Sequence, residues 1–163
     1  MQTSYEHREE FSVDEYASIG RLVRSLANLE YQIGATTLRL LGAPAFAEAA
    51  TEAVAGRVVK SPLKGRIQLF FDTYQAKFGN DTWLATFAQE VSELAKWRDG
   101  VCHGLWSRGK ESEMKLVFYD RQSFEQQTDI PVQTLSAQEI NRMSNAASFW
   151  AWTLHERLSP EKT

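Results

Sequence analysis

The chain has 163 residues, 43% hydrophobic and 24% charged, with a formal net charge of -3. That length supports one domain with a real core, and the balance excludes disordered, collagen-like and membrane-embedded classes. A negative total argues against a protein that grips nucleic acid over its whole surface, while leaving room for a local basic site.

A single cysteine, Cys102, allows no internal disulfide and no cysteine-based zinc site within one chain, which fits a reducing cytoplasm. The N-terminus is polar with no apolar signal segment, and charges interrupt every apolar run before membrane-spanning length. A cytoplasmic protein with no membrane partner is expected.

Over residues 12–41, Val13, Tyr16, Ile19, Val23, Leu26, Leu29, Ile33, Leu38 and Leu41 recur at steps of three to five. This predicts a first long helix with one buried stripe. Ser12 and Glu15 have capping-box spacing at its start, and Gly42 and Pro44 stop it. The alanine-rich residues 44–55, closed by Gly56, predict a short helix that packs lightly. Another helix is expected from about Pro62 to Phe78, with Leu63, Ile67, Phe70 or Phe71, Tyr74 and Phe78 inward, before Gly79 and Asn80 break it.

Asp81 is the expected N-cap of a helix in which Trp83, Leu84, Phe87, Val91, Leu94, Trp97 and Val101 keep the helical period until Gly104. After the polar run 107–113, residues 114–119 and 130–135 are short, apolar and rich in β-branched and aromatic side chains, so they predict a small hairpin. Pro131 restricts its second strand to an edge. Ser136 and Glu139 repeat the capping-box spacing and open a final helix with Ile140, Met143, Ala147, Trp150, Leu154 and Leu158 on one face. The expected fold is all-α: four main helices plus a short one, with a β-hairpin before the last helix. One domain spans 1–163, with 1–11 and 159–163 as flexible ends.

Chemistry concentrates where the Asp81-capped helix ends, at Arg98-Asp99-Gly100-Val101-Cys102-His103-Gly104. Asp99 and His103 are four residues apart, hence about 40° apart around a helix, so the carboxylate is placed to orient the imidazole. Arg98 and His103 are about 140° apart, so they converge only if the arginine wraps or a second chain completes the pocket. A symmetric dimer supplies that chain. A guanidinium matches phosphate oxygens in pairs and offsets charge developing on them, and histidine side chains ordinarily titrate near neutrality.

Positive charge clusters at Lys60, Lys64 and Arg66 and again at Lys96, Arg98, Arg108 and Lys110, although solvated helix faces account for most such cations. Lys64, Lys96 and Arg108 are the candidate contacts of a local nucleic-acid site. Trp106, beyond the glycine, is the candidate for stacking on a base, whereas Trp97 lies on the apolar stripe. Cys102 points about 100° from His103 and is expected in the core rather than as a nucleophile. His7 and His155 lack company at metal-ligand spacing, and no phosphate-cradling glycine loop is present, so neither metal nor cofactor is expected.

The arrangement of Arg98, the polar Asp99 next to it and His103 with four residues between it and Arg98, followed by Gly104, resembles the HEPN superfamily. The helical pattern from Val13 to Leu158 is similar as well. The resemblance implies a metal-independent endoribonuclease, a hydrolase in which the ribose 2′-hydroxyl attacks the adjacent phosphate to leave a 2′,3′-cyclic phosphate and a 5′-hydroxyl. Arg98, Asp99 and His103 would be its catalytic residues. It further implies a homodimer, a role as a toxin or antiphage effector, and an antitoxin or regulatory protein as partner. Single-stranded RNA is the favoured substrate, because in-line attack needs a flexible backbone. Two alternatives stay open: a noncatalytic HEPN-like module binding nucleic acid, nucleotide or protein, and a domain whose helices serve only dimerisation.

Overall fold

Both capping boxes form. The Ser12 hydroxyl accepts from Glu15 N–H at 3.2 Å while Glu15 accepts from Ser12 N–H at 2.6 Å, and Ser136 and Glu139 repeat the exchange at 3.2 and 2.7 Å. They open α1 (Val13–Leu40) and α4 (Ala137–Arg157). Asp81 accepts from Leu84 N–H at 2.7 Å and opens α3 (Thr82–His103), while α2 (Leu63–Phe78) follows Pro62 and stops at Gly79, whose φ of 78° suits glycine. The computed structural model describes residues 11–42, 56, 58, 60–110, 113–117 and 132–158; the helix expected over 44–55 and most of the ends expected to be flexible lie outside them.

The buried face of α1 runs through Ser18, Leu22, Leu26, Leu29 and Ile33. Val13 and Tyr16, expected inward, are 84% and 55% exposed. The reason is geometric: each step of three residues falls about 60° short of a full turn, which carries Val13 to the side opposite Leu22. Ile19 and Val23 lie at the edge of the core, and Leu41, just past the helix, is exposed. Phe78, also expected inward, is the last residue of α2 and is exposed, resting against the Tyr74 ring at 4.9 Å.

Phe70 and Phe87 lie 4.9 Å apart, and Trp150 meets Phe87 edge-on at 5.4 Å, so one aromatic cluster joins α2, α3 and α4. Arg157 seals its outer end, with its guanidinium 4.5 Å over the Trp83 ring and paired with Asp81 at 3.0 Å. Contacts from Arg21 to Asn141 and from Arg39 to Leu158 show that α1 and α4 run side by side in the same direction.

Between α3 and α4 lies a three-stranded antiparallel sheet, β1 (Leu105–Arg108), β2 (Met114–Val117) and β3 (Val132–Leu135), with β2 central. The expected hairpin is present as β2 and β3, in the register Met114 to Leu135, with β3 at an edge. β1 is an addition to that expectation. It follows α3 immediately and pairs Trp106 with Leu116 and Arg108 with Met114. Leu116 and Met114 are fully buried, so Trp106 and Arg108 share the sheet's inner face. Among the described residues, no helix is long and apolar enough to cross a membrane.

Candidate functional site

Gly104 determines how α3 ends. Its N–H donates to Gly100 O at 2.7 Å, and the chain then turns directly into β1. A Cβ at Gly104 would fall on the Gly100 carbonyl oxygen and within 2.7 Å of Leu116 Cδ1 and Val117 O. The sheet therefore approaches the last turn as closely as backbone allows, leaving Asp99, Cys102 and His103 exposed at the helix end.

Arg98 turns the other way, toward α1. Its Nε and Nη2 both lie 3.1 Å from Glu30 Oε2, and its Nη1 donates to Asp99 Oδ1 at 2.9 Å. Burial works against the charged guanidinium, but the Asp99 and Glu30 carboxylates outweigh it and hold Arg98 above the ordinary arginine range. Glu30 also faces Arg66 Nη1 at 3.5 Å, and Arg66 Nε donates to Ser61 O at 2.8 Å. One nearly buried carboxylate thus lies between two arginines, fixing the plane of Arg98 and leaving its Nη1 edge toward the exposed Asp99.

Asp99 meets Arg98 and does not meet His103. Among the described residues, His103 has no hydrogen-bond or ion-pair partner, so the expected Asp99–His103 contact is replaced by a pairing along the chain. The i,i+4 spacing does put both on one exposed stripe, which Ser92 and Lys96 continue down α3. A groove of about 320 Å³ between α2 and α3 runs along this stripe, lined by Leu63, Lys64, Ile67, Ala95, Lys96 and Asp99 among others. It brings together Lys64 and Lys96, which sequence had placed in separate clusters. Lys96 is paired with Glu93 at 2.5 Å, while Lys64 has no such partner among the described residues.

The other expected contacts are differently placed. Trp106 is half-buried on the core and donates from Nε1 to Val101 O at 3.3 Å, because strand pairing turns it inward with Leu116. Arg108 grips Glu15 at 3.1 and 2.6 Å, lies over the Phe11 ring and ties β1 to the start of α1. Its fork is engaged in structure rather than presented to a phosphate. Glu15 is held down to a pKa of about 2, chiefly by Arg108 and then by the Ser12 N–H. Cys102, expected in the core, is exposed, because its position falls outside the Val101 side of the helix.

Glu30 is the residue that sequence reasoning missed. It follows Leu26 by four and precedes Ile33 by three, so helical periodicity sets a carboxylate on the edge of a buried stripe, a position that calls for a cation. No protein family, curated protein or solved structure matches the chain. Among the described residues no group of His, Cys, Asp and Glu could hold a metal ion.

Proposed function

We propose that the chain is a metal-independent endoribonuclease of HEPN type, working as a symmetric dimer in which Arg98 of one protomer and His103 of the other share a cleft. The observation that carries this reading is the contrast between the two side chains. Glu30 fixes the Arg98 guanidinium with its Nη1 edge on the exposed Asp99, while His103 stands exposed with no partner among the described residues. A pre-set cation and an uncommitted imidazole are what phosphoryl transfer requires. Their divergent directions on α3 favour completion by a second copy.

In the proposed reaction the RNA phosphate takes the Nη1 edge of Arg98 as Asp99, 79% exposed, swings aside. The 2′-oxygen bonds to phosphorus, its proton passes to His103 Nδ1 or Nε2, and the P–O5′ bond breaks. Water protonates the departing 5′-oxygen, leaving a 2′,3′-cyclic phosphate. The α2/α3 groove, with Lys64 and Lys96, offers the flanking strand a path, and single-stranded RNA suits it because a duplex restrains in-line attack. Asp99 then governs access to Arg98 and does not orient His103. Such an activity suits a toxin or antiphage effector restrained by a partner protein.

The test is cleavage of single-stranded RNA in EDTA, with Arg98→Ala and His103→Ala each abolishing it while circular dichroism stays unchanged. Undiminished cleavage by both variants refutes the proposal. A second reading, noncatalytic RNA binding, is favoured by one observation: Asp99 closes the edge of Arg98 that a phosphate would need. Binding without cleavage, indifferent to His103→Ala, selects it.

A further inference from the structure

On the far side of α1 from Glu30, a second groove of about 490 Å³ runs between α1 and α4. Arg21, Arg24 and Asn28 line it from α1, and Asn145 and Ser148 from α4; among the described residues, no carboxylate contributes. Its floor is the hydroxyl cluster in which Ser25 meets Ser144 at 2.9 Å and Ser148 at 3.0 Å. This donor-rich lining is unexpected in a chain of net charge -3.

The two arginines differ from four others of the fold, and only Arg39, on Leu158 O and Thr36 Oγ1, is held as Arg21 is among the described residues. Arg66, Arg98, Arg108 and Arg157 all pair with carboxylates. Among the described residues, Arg21 is held only by neutral oxygens, Ser18 Oγ at 3.0 Å and Asn141 Oδ1 at 3.3 Å, so there it is positioned without being neutralised. Arg24, one turn on and exposed, has no hydrogen bond or ion pair among the described residues. Two uncompensated guanidiniums on one helix face repel each other and favour an anion between them.

Because α1 and α4 run in the same direction, both walls lead toward aromatic residues at one end. Trp152 follows Ser148 by one turn of α4 and is 61% exposed, and Tyr31 follows Asn28 by one turn of α1 and is 51% exposed. Arg24 and Tyr31 are separated by about 10 Å of helix rise, comparable with the reach of a nucleotide from phosphate to base.

We propose that this groove binds a nucleoside phosphate. Arg21 and Arg24 hold the phosphates, the Asn28 and Asn145 amides contact sugar or base edges, and Trp152 stacks the base. A free nucleotide and a nucleotide within an RNA strand share this chemistry. The site is separate from Arg98 and His103 and stands whether or not they cleave RNA.

The experiment titrates the full chain calorimetrically with ATP, with a 2′-O-methyl RNA octamer that cannot undergo 2′-hydroxyl attack, and with inorganic phosphate. Saturable binding of ATP points to a free nucleotide, and binding of the octamer alone to a strand. In either case Arg24→Glu should weaken binding about tenfold or more, as loss of a charge-assisted contact does. Trp152→Ala should weaken it about tenfold through lost stacking, while Arg98→Ala leaves it unchanged for ATP. Among the described residues neither Arg24 nor Trp152 makes a side-chain polar contact, so both variants should keep wild-type circular dichroism. The proposal is overturned if ATP and the octamer fail to bind below millimolar concentration, if Arg24→Glu and Trp152→Ala bind like wild type, or if inorganic phosphate matches ATP.

Discussion

Replacing Glu30 by glutamine keeps the shape of the side chain and removes the charge that two arginines share. Glu30, Arg66 and Arg98 have side chains 13%, 14% and 30% exposed, so the cost lies between two limits. An exposed ion pair contributes about 0–1 kcal/mol, and removing one member of a fully buried pair costs about 3–5 kcal/mol. Weighting these by the observed burial gives about 3 kcal/mol, or a midpoint lowered by about 9 °C in a domain of this size. Urea unfolding at neutral pH measures it, and a cycle with Arg98→Met isolates the pair, with a coupling of about 1 kcal/mol or more. On the proposed function, Glu30→Gln should also slow RNA cleavage, because Arg98 loses the partner that fixes its plane. Stability within 0.5 kcal/mol of wild type, an uncertainty typical of contact-based reasoning, would refute the claim that Glu30 anchors the arginine.

Acid should weaken the link between β1 and α1. Glu15 has a folded pKa of about 2 against an ordinary 4.5, so its contribution is complete above about pH 5 and is lost as pH falls from 4.5 toward 2. Wild type should therefore lose more stability between pH 6 and pH 3 than Arg108→Ala, and equal losses in urea titrations at the two pH values would contradict the pairing. Gly104→Ala must displace the Gly100 carbonyl or the Leu116 and Val117 strand, for a loss of about 3 kcal/mol. An unchanged thermal midpoint for that variant would mean that the sheet does not press on the end of α3.

Local signals were legible in the sequence, and pairings across the fold were not. Ser12, Asp81 and Ser136 cap helices as their spacing implies, because a cap depends on neighbours three residues away. β1 escaped notice because Leu105 to Arg108 is too short to carry a period and is ordered by its partner β2. The same pairing moved Trp106 and Arg108 from solvent to the inner face of the sheet. At the site, the helix end and the shared stripe of Asp99 and His103 follow from the sequence. Arg98 takes its direction from Glu30, which is 68 residues away and recognisable only as a charge on a buried stripe. Likewise, the union of Lys64 with Lys96 required the packing of α2 on α3.

Mixing two inactive variants tests the central claim most directly. If each site takes Arg98 from one protomer and His103 from its partner, Arg98→Ala and His103→Ala chains are each silent alone. After unfolding and refolding together, half of the dimers are mixed and each mixed dimer keeps one intact site of two, so about a quarter of wild-type RNA cleavage in EDTA should return. A mixture as silent as its components, under conditions where wild type cleaves, would contradict a shared cleft.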